Sequence, residues 1–173
     1  NIKAGEYLNL IYPLGNSFSM PDSDRILLVG GGCGVAPMLY SAKYFMQFGI
    51  TPTFLLGYRN KESILRPEKF AKYGNVFYTT EDGSFGEKGN VLNHSLLSNE
   101  EISFEKIYAC GPEPMLKALS DLALSRKIEC EVSLENLMAC GIGACLCCVQ
   151  NTDQGHKCVC TDGPVFNVKN LIW

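Results

Sequence analysis

No basic block interrupts the 173 residues, and the formal net charge is −3. The chain therefore lacks the electrostatic footprint of a nucleic-acid binder. It also lacks a long unbroken apolar run. Its most apolar stretch, residues 26–40, is interrupted by four glycines and a proline, which makes it a poor membrane span. No signal-peptide pattern opens it. Histidine is scarce. His94 and His156 are the only two, and neither has a carboxylate or nucleophile at motif spacing, so both read as surface residues and no catalytic side chain is expected. What the chain has in plenty is cysteine. Cys33, Cys110 and Cys130 stand apart, while six cysteines crowd between Cys140 and Cys160. A disulfide scaffold would spread its pairs along the chain. A late cluster in an ordinary α/β composition points instead to metal in a reducing compartment.

Strand and helix signals alternate from residue 25 to residue 133. Short apolar runs at 25–30, 53–58, 75–79, 106–110 and 128–133 read as five strands. Met38, Leu39, Ala42, Phe45 and Met46 have helical spacing, with Gly49 as the stop. Met115, Leu116, Leu119, Leu122 and Ala123 repeat it after Pro112 and Pro114, which suit a helix start. Short helices are expected at 67–73 and 90–97, and a loop at 83–89. This pattern predicts an α/β fold, a doubly wound parallel five-stranded sheet with helices on both faces. Ligands then bind beyond the carboxyl ends of the strands. Tyr7 to Tyr12 reads as a further strand. A lone strand needs a sheet to join, so more chain is expected before Asn1.

The loop Gly30-Gly31-Gly32-Cys33-Gly34-Val35-Ala36-Pro37 joins the first strand to the first long helix. No register fits G-x-G-x-x-G or a P-loop. The physics is still that of a phosphate site, because glycines let backbone N–H groups approach an anion at a helix N-terminus. Cys110-Gly111-Pro112-Glu113-Pro114-Met115 forms a second strand-to-helix junction, where a small thiol and a glycine leave room for a planar ring. Together the two junctions resemble the pyridine-nucleotide domain of the ferredoxin–NADP reductase superfamily. That resemblance puts the pyrophosphate on the first loop, the nicotinamide by Cys110, and Gly57-Tyr58-Arg59 near the adenosine. Arg59 and Lys61 would suit a 2′-phosphate. Glu62, Glu81 and Asp82 offer carboxylates, the last two placed to accept ribose hydroxyls.

Cys140, Cys145 and Cys148 give C-x₄-C-x₂-C, the plant-type spacing for [2Fe–2S] ligation. Gly141 and Gly143 let the loop wrap so that its N–H groups point at sulfur. Cys158 and Cys160 both qualify as the fourth ligand, and Cys147 reads as a spare thiol. Zinc on Cys145, Cys148, Cys158 and Cys160 is the chemical competitor, but it leaves Cys140 and the glycine-spaced loop unexplained.

The whole chain is similar to the C-terminal two-thirds of the electron-transfer subunit of class 1B dihydroorotate dehydrogenase. The resemblance is carried by residues 30–37, 81–86, 110–115, 133–135, 162–166 and, most specifically, Met138-Ala-Cys-Gly-Ile-Gly-Ala-Cys145. Pro13 to Phe18 looks like that family's interdomain link. Cys33, where the family usually has a larger aliphatic residue, and Cys147, where it has glycine, are departures. The resemblance implies residues 1–20 as the tail of an FAD-binding barrel and its linker, 21–133 as an NAD-binding domain, and 134–173 as the [2Fe–2S] segment. It implies Cys160 as the fourth ligand and NAD as the nucleotide. FAD would be held mostly by a preceding domain, so that this stretch alone is a fragment expected to be inactive. It further implies an FMN-bearing dihydroorotate dehydrogenase catalytic subunit as partner in a heterotetramer, and a cytoplasmic role in pyrimidine biosynthesis. Subunits of other NAD(P)H–ferredoxin oxidoreductases are the alternative, resembling the chain through residue 125, and a zinc-stapled nucleotide-binding module is the non-enzyme one.

Overall fold

The computed structural model describes residues 2–99 and 103–173. Five strands run parallel in its central sheet: β1 (Ile26–Gly31), β2 (Thr53–Tyr58), β3 (Asn75–Thr80), β5 (Lys106–Cys110) and β6 (Glu129–Ser133). They are the five expected from the apolar runs. Two more extend the edges. β4 (Glu87–Lys88) adds parallel to β3, inside the stretch expected to be a loop. β9 (Val165–Asn167) adds antiparallel to β6. The order is β4-β3-β2-β1-β5-β6-β9. A separate hairpin pairs β7 (Val149–Thr152) with β8 (Gly155–Cys158).

Helices cover both faces, so the strands are apolar on both sides. α1 (Val35–Met46) and α2 (Pro67–Phe70) lie over one face, where Met38, Ala42, Phe45 and Phe70 pack on Ile26, Leu28, Phe54 and Tyr108. α3 (Ser95–Ser98) and α4 (Glu113–Ser125) lie over the other, where Leu96, Leu116, Leu119 and Ala123 pack on Leu27, Val29, Leu55 and Ile107. Cys148, Val159, Cys160, Phe166 and Val168 join this second core. The cysteine segment is thus not an appendage. It shares a core with α4 and a strand with the sheet. The helix expected at 90–97 is split into a 3₁₀ turn, Val91–Asn93, and α3, with His94 between them.

His94 is buried, not a surface residue as its lack of motif partners suggested. Its Nδ1 accepts the Leu96 N–H at 2.9 Å, its Nε2 faces Glu87 at 3.5 Å, and burial holds its pKa below the usual histidine value. It caps α3 as a neutral ring, a task that sequence spacing does not reveal. His156 is exposed.

No strand forms at residues 7–12. Tyr7, Leu10 and Tyr12 lie extended in solvent, and nothing in the described sheet pairs with them. The segment docks instead on the cysteine region, Ile11 and Leu14 beside Gly141 and Gly15 against Gly163. Asn16 Nδ2 donates to the carbonyls of Asp162 and Val165, and its Oδ1 accepts the Val165 N–H at 2.9 Å. Phe18 meets Tyr108 edge-on at 5.3 Å. Ser19 joins a buried polar group, donating from N and Oγ to Glu131 while Lys106 Nζ donates to its Oγ at 2.7 Å. Burial alone would pull the Lys106 ammonium down. Glu129 and Glu131 more than offset that and hold it charged.

Candidate functional site

Two strand-to-helix junctions press together at the carboxyl ends of β1 and β5. Gly30 stands beside Cys110 in the ladder, and Gly31 beside Gly57. A Cβ on Gly34 would lie 2.1 Å from the Cys110 carbonyl oxygen, and one on Gly31 would lie 2.7 Å from Met115 Sδ. At position 34, where the facing atoms are backbone, only glycine permits that closure. Gly32 takes φ +55°, the left-handed turn that aims the chain into α1. α1 starts on Gly34 with no side-chain cap and no acidic residue in its first turn. The Val35 N–H bonds back to the Gly32 carbonyl and Pro37 has none, so an anion here would be met by the remaining amides of the turn and by the helix dipole.

Beside this closure lies a cavity of about 430 Å³. Of the residues singled out from sequence, Gly31, Gly32, Gly57, Tyr58, Arg59, Glu81, Pro112 and Met115 line it. Asn90, Val91, Leu92, Pro114 and Ala118 line it as well. Pro114 belongs to the Cys110–Met115 junction, but sequence reasoning missed the other four, because their nearness depends on the crossover and not on a motif. Gly30, Gly34 and Val35 are buried beneath the junction, while Cys33 and Ala36 are exposed. Pro37 turns to a second groove, with Phe18, Tyr40 and Tyr44. Gly111 and Glu113 border a smaller cavity with Glu135, Gln150 and Trp173.

The electrostatics separate the two acidic candidates. The Asp82 carboxylate accepts from Ser84 N–H at 2.9 Å and Ser84 Oγ at 2.6 Å, which lowers its pKa and ties it to the turn after β3. Glu81 stands on the cavity wall with Arg59. The Tyr58 phenol is pushed up to about 12, chiefly by burial, so it stays neutral. Burial also raises the half-buried Cys110 thiol. Ser133 works the other way and the Glu135 carboxylate adds to the rise. Cys110 is therefore a protonated, small, weakly polar neighbour and not a nucleophile.

The cysteine loop, residues 134–148, has no regular structure and is shaped by positive φ at Gly141, Gly143 and Leu146. Its amides turn inward. Cys140 Sγ accepts from Ile142 N and Cys145 N, each at 3.4 Å. Cys145 Sγ accepts from Cys147 N at 3.4 Å, Cys160 Sγ from Gly143 N at 3.2 Å, and Cys148 Sγ from Cys160 N at 3.4 Å. Two of these bonds tie the cysteines in pairs, Cys145 to Cys140 and Cys160 to Cys148. The Ile142 and Cys145 amides bring Cys140 down to about 6, within the range of a thiolate at neutral pH. Cys158 differs. No backbone N–H is directed at its sulfur among the described contacts, its S–H is directed to the Gly143 carbonyl at 4.0 Å, and burial and the neighbouring Cys148 raise its pKa. Cys147 is exposed. Among the described residues, no three His, Cys, Asp or Glu side chains converge as they would on a single ion.

Comparison with known proteins divides the chain in the same way. Residues 28–121 match the oxidoreductase NAD-binding domain, and residues 135–172 match the iron–sulfur cluster binding domain of dihydroorotate dehydrogenase B. A dihydroorotate dehydrogenase B (NAD(+)) electron transfer subunit from Geobacillus sp. (strain WCH70) is 40% identical over 98% of this chain and 67% of its own length. The subunit of that name from Streptococcus pneumoniae serotype 4 is 38% identical, over 99% and 70%. The chain thus spans about two thirds of the length of these relatives. A solved NADH-dependent reduced ferredoxin–NADP oxidoreductase superposes with a TM-score of 0.86 at 31% identity, over 96% of this chain and 60% of that one. Its likeness runs well past residue 125, where the sequence motifs suggested it would stop. The superposition takes in the cysteine segment of this chain, so fold alone does not separate the two readings, and the identity of 40% to the Geobacillus subunit stands above the 31% to this reductase. The chain belongs to the family of dihydroorotate dehydrogenase B electron transfer subunits.

Proposed function

We propose that the chain carries electrons between a partner dihydroorotate dehydrogenase subunit, which holds FMN, and NAD, by way of a [2Fe–2S] cluster and FAD. The observation that carries this reading is the inward turn of the cysteine loop. Cys140, Cys145, Cys148 and Cys160 are the sulfurs that accept backbone N–H groups, and two of those bonds pair them, Cys145 N–H to Cys140 and Cys160 N–H to Cys148. Two pairs of thiolates suit two irons, whereas a tetrahedral zinc site would draw four sulfurs to one point. Bound there, the cluster supplies one-electron transfer, and N–H···S bonds help set its potential. The uncapped start of α1 and the glycine turn would bind the pyrophosphate. Tyr58 and Arg59 would flank the adenosine, and Cys110 with Gly111 would leave flat space for the nicotinamide. The chain needs no general acid or base, because the chemistry belongs to the cofactors and the protein supplies position and electrostatics.

All nine cysteines are free thiols, which supports a reducing, cytoplasmic setting. No described helix is long and apolar enough to cross a membrane. With a catalytic partner the full subunit is proposed to assemble as a heterotetramer. The test is iron, zinc and acid-labile sulfide analysis of anaerobically prepared protein, with spectra before and after dithionite. Two irons and two sulfides that bleach on reduction are expected. One zinc without sulfide would overturn the electron-transfer reading of this segment.

Glu81 is proposed to select NAD by accepting both adenosine ribose hydroxyls and repelling a 2′-phosphate. Glu81→Gln should lower the preference for NADH over NADPH by about 10-fold, the scale of one hydrogen bond to a charged group. Paired Kd measurements for the two nucleotides check this. An unchanged ratio would move the selection to Arg59 and its surroundings.

A further inference from the structure

A fifth thiol stands within the cysteine site. Cys158 ends β8, half-buried, opposite Val149 in the β7–β8 hairpin, and the next residue's N–H, that of Val159, donates to the Cys148 carbonyl at 3.0 Å. One residue of the loop separates it from Cys160. Gly143 donates its N–H to Cys160 Sγ at 3.2 Å, and its carbonyl faces the S–H of Cys158 at 4.0 Å. Both cysteines belong to one tight turn. The Cys158 carbonyl accepts from Thr161 N and Asp162 N, and its own N–H donates to Asp162 Oδ2 at 2.9 Å. The turn therefore holds both sulfurs against the same glycine. Cys147, by contrast, is exposed and turns only its N–H inward.

We propose that Cys158 is a reserve ligand of the cluster site, able to take the place of Cys160. This rests on the [2Fe–2S] reading above. The exchange is balanced and involves no change of oxidation state. The bond from iron to Cys160 sulfur breaks, the bond from iron to Cys158 sulfur forms, and the proton of Cys158 passes to Cys160. Cys158 gives up little in moving, because an S–H···O contact at 4.0 Å is weak. Cys160 remains the resting ligand because the Gly143 N–H is already directed at its sulfur, and hydrogen bonds to the ligand sulfur favour the bound form. A cluster held this way survives loss of one of its four protein bonds, which would otherwise begin its release.

The test uses the full-length subunit with its partner, and alanine so that no oxygen ligand is introduced. Wild-type iron and sulfide content tests the cluster reading itself, and its absence would remove both proposals. With the cluster present, Cys160→Ala should keep at least about half the wild-type iron, with a shifted electron-paramagnetic-resonance signal in the reduced state. Cys158→Ala/Cys160→Ala should keep less than about one-tenth, since losing even an outer-shell partner of a metal costs 10–100-fold. A folded Cys160→Ala protein as empty as the double variant overturns the inference. If Cys160→Ala does not fold, decay of the cluster under a chelator decides. Cys158→Ala in an otherwise native protein should bleach several-fold faster, with Cys147→Ala unchanged. Equal half-lives for Cys158→Ala and wild type overturn it.

Discussion

Alanine in place of Cys145 will leave the protein without iron or sulfide. It will lower electron transfer from the partner to NAD by more than about 100-fold, beyond what loss of an outer-shell partner costs. Cys145 is exposed and belongs to neither core, so the fold does not require it. Its sulfur accepts one amide, from Cys147, and its own N–H donates to Cys140 Sγ. Without it, one iron of a two-iron cluster would keep a single protein thiolate. NADH binding should be unchanged, because the nucleotide cavity is built from the ends of β1 and β2 and from α4. That contrast makes Cys145 more informative than Cys148, which is 2% exposed in the shared core and would cost stability as well. Iron and sulfide analysis with a parallel NADH titration checks both halves. Full iron content would remove Cys145 from the ligand set and point to Cys147.

The features legible in the sequence are those written in local chemistry. β2 and β5 run over the residues that the apolar runs at 53–58 and 106–110 mark, because a strand buried on both faces is apolar throughout. The glycine turn and the C-x₄-C-x₂-C loop are legible for the same reason. Each packs its requirement into a few neighbouring residues. What could not be read depends on contacts far apart in the chain. β9 is three residues long, and only its pairing with β6 makes it a strand. Residues 7–12 have the apolar and aromatic content of a strand but no described partner, and a strand is defined by its partner. Asp82 and Glu81 are neighbours with equal claims in sequence, until Ser84 ties up one of them. Asn16 carries no motif, yet it holds the turn after Cys160 from almost the full length of the chain away. Spacing alone left Cys158 and Cys160 equivalent. The direction of the Gly143 amide distinguishes them.

Gly34→Ala should cut NADH affinity by more than about 100-fold while leaving a folded protein. A methyl group there would sit 2.1 Å from the Cys110 carbonyl oxygen, 2.3 Å from its carbon and 2.6 Å from Gly111 N. All three are backbone atoms, and β5 is held by ladders to β1 on one side and β6 on the other. The strand cannot yield, so the 3₁₀ turn must lift by roughly an ångström, enough to break one or two amide hydrogen bonds to an anion, each worth about 1.5–3 kcal/mol. Because the clash is with backbone, the overpacking should cost at least the upper end of the about 1–3 kcal/mol usual for an added methyl group. Two neighbouring glycines serve as controls. At Gly31 the new methyl meets Met115 Sδ at 2.7 Å, the end of a flexible side chain that can turn away, and the Pro112 ring at 3.1 Å, which must give by a few tenths of an ångström. At Gly32 nothing lies within 4 Å, and the cost is that of a left-handed φ, about 1–2 kcal/mol. NADH Kd and thermal unfolding of the three variants separate the causes. If Gly32→Ala loses as much affinity as Gly34→Ala, the conformation of the turn governs binding. If Gly34→Ala alone loses it, the closure of the two junctions on each other builds the nucleotide site.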